Sequence, residues 1–130
     1  MNEETMQKFK DIFESHPEVK LAYLFGSRVS GETGPLSDFD FAVYLDERDA
    51  IKIFEIKVAL MDEICRLLGT DKIDIVVLDR AENPELKFSV IKNGRIILDR
   101  EPYRLIVEPK IMNEYFDFRT MLLRHNLTRA

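Results

Sequence analysis

Tryptophan is absent, and cysteine occurs once, at Cys65. A lone cysteine excludes an internal disulfide and fits a reducing compartment, so the sequence predicts a cytoplasmic protein. Cys65 itself reads as a small apolar residue on a helix. No apolar run approaches the roughly 20 residues that a membrane span needs. The start, Met1-Asn2-Glu3-Glu4, is acidic where a secretion signal is basic, so no targeting segment is assigned. Histidine occurs twice, at His16 and His125. Neither has a partner at the spacing of a metal site or a triad, and both read as solvent-exposed. An excess of positive charge is also missing. The net charge of -5 opposes broad, sequence-independent binding of nucleic acid.

What is present is 130 residues, 45% hydrophobic and 33% charged. That is the balance of a globular chain with one modest core, and a single domain over 1–130 is expected. Residues 1–100 hold 14 Lys and Arg against 20 Asp and Glu, a net -6, whereas 101–130 hold 5 against 4, a net +1. The end carries Arg119, Arg124 and Arg129 without an acid, which suits either a frayed terminus or an anionic contact.

The elements follow from periodicity. Asn2 caps a first helix with Met6, Phe9, Ile12 and Phe13 on one stripe, ended by Pro17. Val19 to Phe25 is a strand, apolar through most of its length as in a sheet interior. Asp38 to Leu45 is a second strand. Alternation puts Asp38, Asp40, Ala42 and Tyr44 on one face and Phe39, Phe41, Val43 and Leu45 on the other. The second set is wholly apolar and predicts the core face. A long helix follows to Leu68, stopped by Gly69, with Ile51, Phe54, Val58, Met61, Ile64 and Leu68 as its expected buried stripe. Lys72 to Leu78 is a third strand, Asn83 to Asn93 a helix opened by Pro84, Arg95 to Leu98 a fourth strand, and the chain from Arg104 onward is helical. The order predicts an α/β (α+β) domain: a small mixed sheet with helices on one face.

The stretch from Gly26 to Asp40 carries the chemistry. Gly26 follows a strand and lets the backbone approach a ligand. Ser27 offers a hydroxyl and an amide for phosphate, and Arg28 a cation. There is no Gly-Lys-Ser/Thr of a Walker loop. Asp38 and Asp40 share a strand face and suit Mg²⁺, which takes hard oxygen ligands. Alone, Asp-x-Asp is ordinary turn chemistry. Asp74 strengthens the reading. It is a charge in an apolar strand, costly unless paired, metal-bound or open to water at the strand's end. If the third strand lies beside the second, the three acids form a cluster that a divalent cation makes tolerable.

These parts together resemble the DNA-polymerase-β-like nucleotidyltransferases. They look most like the minimal nucleotidyltransferase antitoxins that are encoded beside HEPN-domain toxins. The matching residues are Gly26-Ser27, Asp38-Phe39-Asp40 after Gly34-Pro35-Leu36-Ser37, Asp74 in Ile73-Asp74-Ile75-Val76-Val77-Leu78, and the tail Glu114-Tyr115-Phe116-Asp117-Phe118-Arg119. The resemblance implies the nucleotidyltransferase fold and transfer of AMP from ATP, with two Mg²⁺, to a hydroxyl of a partner HEPN ribonuclease, a tyrosine by the family's pattern. It implies Asp38, Asp40 and Asp74 as metal ligands, Asp74 also as the group that helps deprotonate the acceptor, and Gly26 and Ser27 at the β/γ-phosphates, where the residue reading adds Arg28 to the nucleotide site. Two other readings stand beside it: an antitoxin that neutralises by binding alone, and a transferase for a small molecule. Tyr115, Phe116, Phe118, Met121 and Leu122 in the last helix suit either core packing or a surface for a partner or a second copy.

Overall fold

The computed structural model describes residues 2–26 and 38–125. Local signals set the helix ends. In α1 (Glu3–Glu14) the Asn2 side chain accepts from the Thr5 N–H at 2.8 Å. In α2 (Ala50–Leu68) Asp49 accepts from the Ile51 N–H, and Gly69 closes the last turn in the left-handed region at φ +68°. In α3 (Pro84–Asn93) Asn83 caps and proline occupies the first turn, where its missing N–H costs nothing. The final helix, α4, spans Tyr103–Arg124. The strands are β1 (Val19–Phe25), β2 (Phe39–Leu45), β3 (Ile73–Val77) and β4 (Arg95–Asp99). No helix among the described residues is long and apolar enough to cross a membrane.

The sheet order is β3-β2-β1-β4. β1 pairs antiparallel with β2 and β4, while β2 and β3 run parallel. A parallel pair needs a crossover, and α2 supplies it. The mixed sheet is the one the sequence predicts, and the apolar side of β2 packs as alternation requires. Phe41, Val43 and Leu45 are buried with Phe9 and Phe13 of α1 and Leu60 and Ile64 of α2. Phe39 packs against the same cluster.

The helices divide between the two faces instead of sharing one. α1 and α2 cover the face just described. α3 and α4 cover part of the other, where Val90, Val107 and Ile111 meet Leu21, Tyr23 and Ala42. The cause lies in β1: Leu21, Ala22, Tyr23 and Leu24 are all buried, so both sides of the central strand must be covered. A register shift between Val19 and Leu21 moves Val19 to the α1–α2 side while Leu21 faces α3 and α4.

Two other expectations change. The first half of the stripe predicted for α2 is outside: Ile51 is 70% exposed and Phe54 66%. Ile53, Leu60 and Ile64 are buried in its place, with Met61 and Leu68 packed beside them. This helix is apolar on two sides, and periodicity alone does not say which one meets the sheet. His16 is not free in solvent. Its Nε2 lies 3.0 Å from Oε2 of Glu63, which joins the end of α1 to α2. Cys65 is a free, partly buried thiol against the core, as expected.

Candidate active site

β1 ends at Phe25, and Gly26 turns the chain away at φ +79°. That left-handed value favours glycine, and a second constraint demands it. A Cβ at Gly26 would lie 2.5 Å from Oδ2 of Asp40. The antiparallel register explains the contact, since Phe25 pairs with Asp40. The end of β1 is therefore pressed against the carboxylate that β2 presents.

Asp40 in turn stands opposite Asp74 in the parallel register of β2 and β3. The sequence-predicted acids are thus brought together at one end of the sheet, on the side away from α1 and α2. Further along that side Ala42 is buried and Tyr44 is half-buried, so among the described residues the exposed part of this face is the end that carries the acids. Asp38 and Asp74 are exposed and Asp40 is partly covered. Burial pushes the Asp40 carboxyl above its ordinary value, and the charges of Asp74 and then Asp38 push it further. Among the described residues, no lysine, arginine or histidine forms an ion pair with any of the three.

Three carboxylates that repel one another and have no ion-pair partner among the described residues fit a hard divalent cation by donor chemistry. Their side chains are not drawn into a closed cage: among the described residues no group of three or more His, Cys, Asp or Glu stands at metal-holding distances. Ser27 and Arg28, and the Gly34–Ser37 segment that precedes Asp38, lie outside the described residues.

Tyr44 shares the face of the acids but is engaged with the protein. Its ring centroid is 6.0 Å from that of Tyr103, and burial, with Asp79 and Asp46 nearby, holds its hydroxyl above the usual tyrosine range. Beneath it α3 and α4 are joined by Lys87 Nζ donating to Glu114 at 2.7 Å. Lys87 is buried while Glu114 stays partly exposed, so the carboxylate's main effect is to give a buried ammonium the partner it would otherwise lack.

Sequence reasoning missed what lies on the other side of Asp74. A cavity of about 410 Å³ opens along β3, lined by Ile53, Phe54 and Lys57 of α2, by Asp74 to Val77, and by Arg80 and Ala81 beyond the strand. The signal that marks it is the second apolar side of α2, which has no use in the core.

Known proteins give a consistent comparison. The family model described as "Polymerase beta, Nucleotidyltransferase" matches residues 7–103. A curated relative, the protein adenylyltransferase MntA of Aphanizomenon flos-aquae, is 33% identical over 91 residues. The match covers 64% of this chain, and the chain spans 59% of that relative's length. Among solved structures, a toxin–antitoxin with AMP-PNP superposes with a TM-score of 0.74 at 23% identity, over 92% of this chain and 93% of that one. A tri-AMPylated Shewanella oneidensis HEPN toxin in complex with its MNT antitoxin gives 0.72 at 21% identity, over 95% and 94%. At those identities the superpositions establish the fold.

Proposed function

Because the chain belongs to the polymerase beta nucleotidyltransferase family, we propose that it is a protein adenylyltransferase, an antitoxin that moves AMP from ATP to a hydroxyl of a HEPN-domain toxin in the cytoplasm. The observation that carries the reading is the register of Asp40 against Asp74, with Gly26 closed against Asp40. Two strands distant in sequence bring acids together at an open sheet end, where a folded chain gains nothing from their repulsion. The kind of reaction comes from the family and from the relative called an adenylyltransferase. The partner comes from the toxin complexes among the superposed structures.

In this reading the acceptor oxygen attacks the α-phosphorus of ATP. The bond between that phosphorus and the oxygen bridging to the β-phosphate breaks, and pyrophosphate leaves. The hydroxyl proton passes to Asp74, which is exposed and is the one of the three acids that lines the groove. Asp38 and Asp40, with Asp74, would hold Mg²⁺, which supplies charge stabilisation at the attacking and leaving oxygens when bound. Gly26 holds the turn close to Asp40, and Ser27 and Arg28 would meet the triphosphate.

The test is direct. Incubate the protein with Mg²⁺, ATP and the HEPN protein encoded beside it, and weigh that protein by mass spectrometry. The expected result is a gain of one or more AMP units, lost in Asp38→Ala and Asp40→Ala. A tight complex with no gain in mass would overturn the enzyme reading in favour of neutralisation by contact. A gain on a small molecule instead would overturn the choice of substrate.

A further inference from the structure

Among the described residues β3 is an edge strand, and its own residues carry little of the usual edge protection. Natural sheets blunt an exposed edge with lysine, proline, a bulge or a covering segment. β3 reads Ile73-Asp74-Ile75-Val76-Val77, with one charge, and among the described residues no strand pairs with its outer side. The hydrogen bonds to β2 fix which groups face out. Leu78 N–H donates to Val43 O, and Phe39 N–H donates to Lys72 O. Even-numbered residues of β3 therefore turn their backbone groups to β2. The N–H and C=O of Ile75 and the N–H of Val77 point the other way.

The cavity described above lies along these groups, and four successive strand residues line it, as an open backbone edge requires. Its far wall is the surplus apolar side of α2. Ile51, Phe54 and Val58 fall at i, i+3 and i+7, one face of the helix, and Phe54 lines the groove itself. Two cations complete the lining. Neither Lys57 nor Arg80 forms a salt bridge among the described residues; Arg80 gives one N–H to the Arg48 carbonyl and its charge acts on the neighbouring Asp79.

We propose that this groove seats the acceptor segment: an extended stretch of the substrate protein, with apolar and acidic side chains, that adds to the sheet as a strand beside β3. Backbone pairing holds such a segment, and pockets for alternate side chains select it. Phe54 takes an apolar side chain, and Lys57 and Arg80 take acidic ones. A residue paired opposite Asp74 has its side chain on the same face as the Asp74 carboxylate, at the distance of a cross-strand neighbour. A tyrosine or serine there brings its hydroxyl to the acid that accepts its proton. The inference rests on the adenylyltransferase reading for its chemistry, but the surface is defined without it.

Steady-state transfer of AMP to the neighbouring HEPN protein tests it with Phe54→Asp and Lys57→Glu. Both positions lie outside the core. Leu105→Asp, at an exposed site on α4 (77%), serves as the control. The expected result is a rise of tenfold or more in KM for the protein substrate in both groove variants. The KM for ATP and the kcat at saturating partner stay unchanged, and the control behaves as wild type. Hydrogen exchange should show the amides of Ile75 and Val77 gaining protection when the HEPN protein is added. Unchanged KM in both groove variants overturns the proposal. So does protection of β3 in the protein alone that grows with its concentration, since the occupant is then a second copy of the chain. If the wild-type protein transfers no AMP, the adenylyltransferase reading fails by itself. The dissociation constant for the HEPN protein then takes the place of KM, and the same two variants decide the groove.

Discussion

Gly26 and Asp40 are packed so tightly that a single added carbon on the first would strike the carboxylate of the second, at 2.5 Å from Oδ2. Backbone and site are therefore one structure at this point.

Gly26→Ala should separate activity from folding. A side chain at φ +79° costs about 1–2 kcal/mol, and the protein should still fold. The new methyl displaces Asp40, and a misplacement on the order of 1 Å lowers turnover by roughly 10²-fold. Transfer rates and thermal melts on the same preparation check both halves.

Asp40→Asn and Asp74→Asn should each abolish transfer while making the protein no less stable, because each removes a charge from a repelling set. In wild type, Mg²⁺ should raise the melting temperature and a chelator should reverse the rise, since a ligand of the native state stabilises it by mass action. In the two variants the shift should shrink or vanish. Melting curves with and without Mg²⁺ give the answer, and an unchanged shift in both variants would remove the acids from the metal site.

Tyr23→Phe probes the joint between the matched domain and α4, which begins where the family match ends. Tyr23 is 1% exposed, and its hydroxyl donates to Glu108 Oε2 at 2.7 Å. Burial and that carboxylate hold the phenol above its ordinary range. The loss should be about 1–2 kcal/mol, at the modest end for a bond to a charged group because Arg104 still donates to Glu108 at 3.0 Å. Urea unfolding measures it.

Asp79 sets a pH dependence. Asp79 keeps an exposed surface, but desolvation by the surrounding protein raises its carboxyl, outweighing two backbone hydrogen bonds and the nearby Arg80 and Lys110, and its contact with water keeps the effect on stability small. A carboxylate with a raised folded value favours the native state most when protonated. Its contribution is complete below the ordinary value of 3.8 and is lost as pH rises through the folded value. Asp79→Asn should therefore gain stability relative to wild type as pH rises above about 4, with the larger difference at pH 7. Unfolding curves at pH 4 and pH 7 check the sign.

Much of this was legible in the residues. Alternation along β2 separated Phe41 and Val43 from Asp40 correctly, because a period of two leaves no freedom once one face is wholly apolar. The placement of Asp74 needed the parallel register, which the sequence could pose only as a condition. The burial of α2 was misread at Ile51, Phe54 and Val58, because the helix has two apolar sides and only the sheet chooses between them. The second helical layer was written in β1, whose apolar run from Leu21 to Phe25 requires cover on both sides. The partner of His16 was not readable at all, since Glu63 meets it only once α1 and α2 pack together.

The parallel pairing of β2 and β3 has a consequence in time. Asp40 and Asp74 lie on strands separated by the whole of α2, so their contact is among those that close a long loop. Closing such a loop costs entropy that grows with its length, and non-local pairing of this kind slows folding. A chain emerging from the ribosome has no site until β3 docks, and a partly folded chain has none either. The fraction of molecules with the acids assembled is then the fraction that has completed its sheet, and loss of β3 pairing by itself takes the site apart.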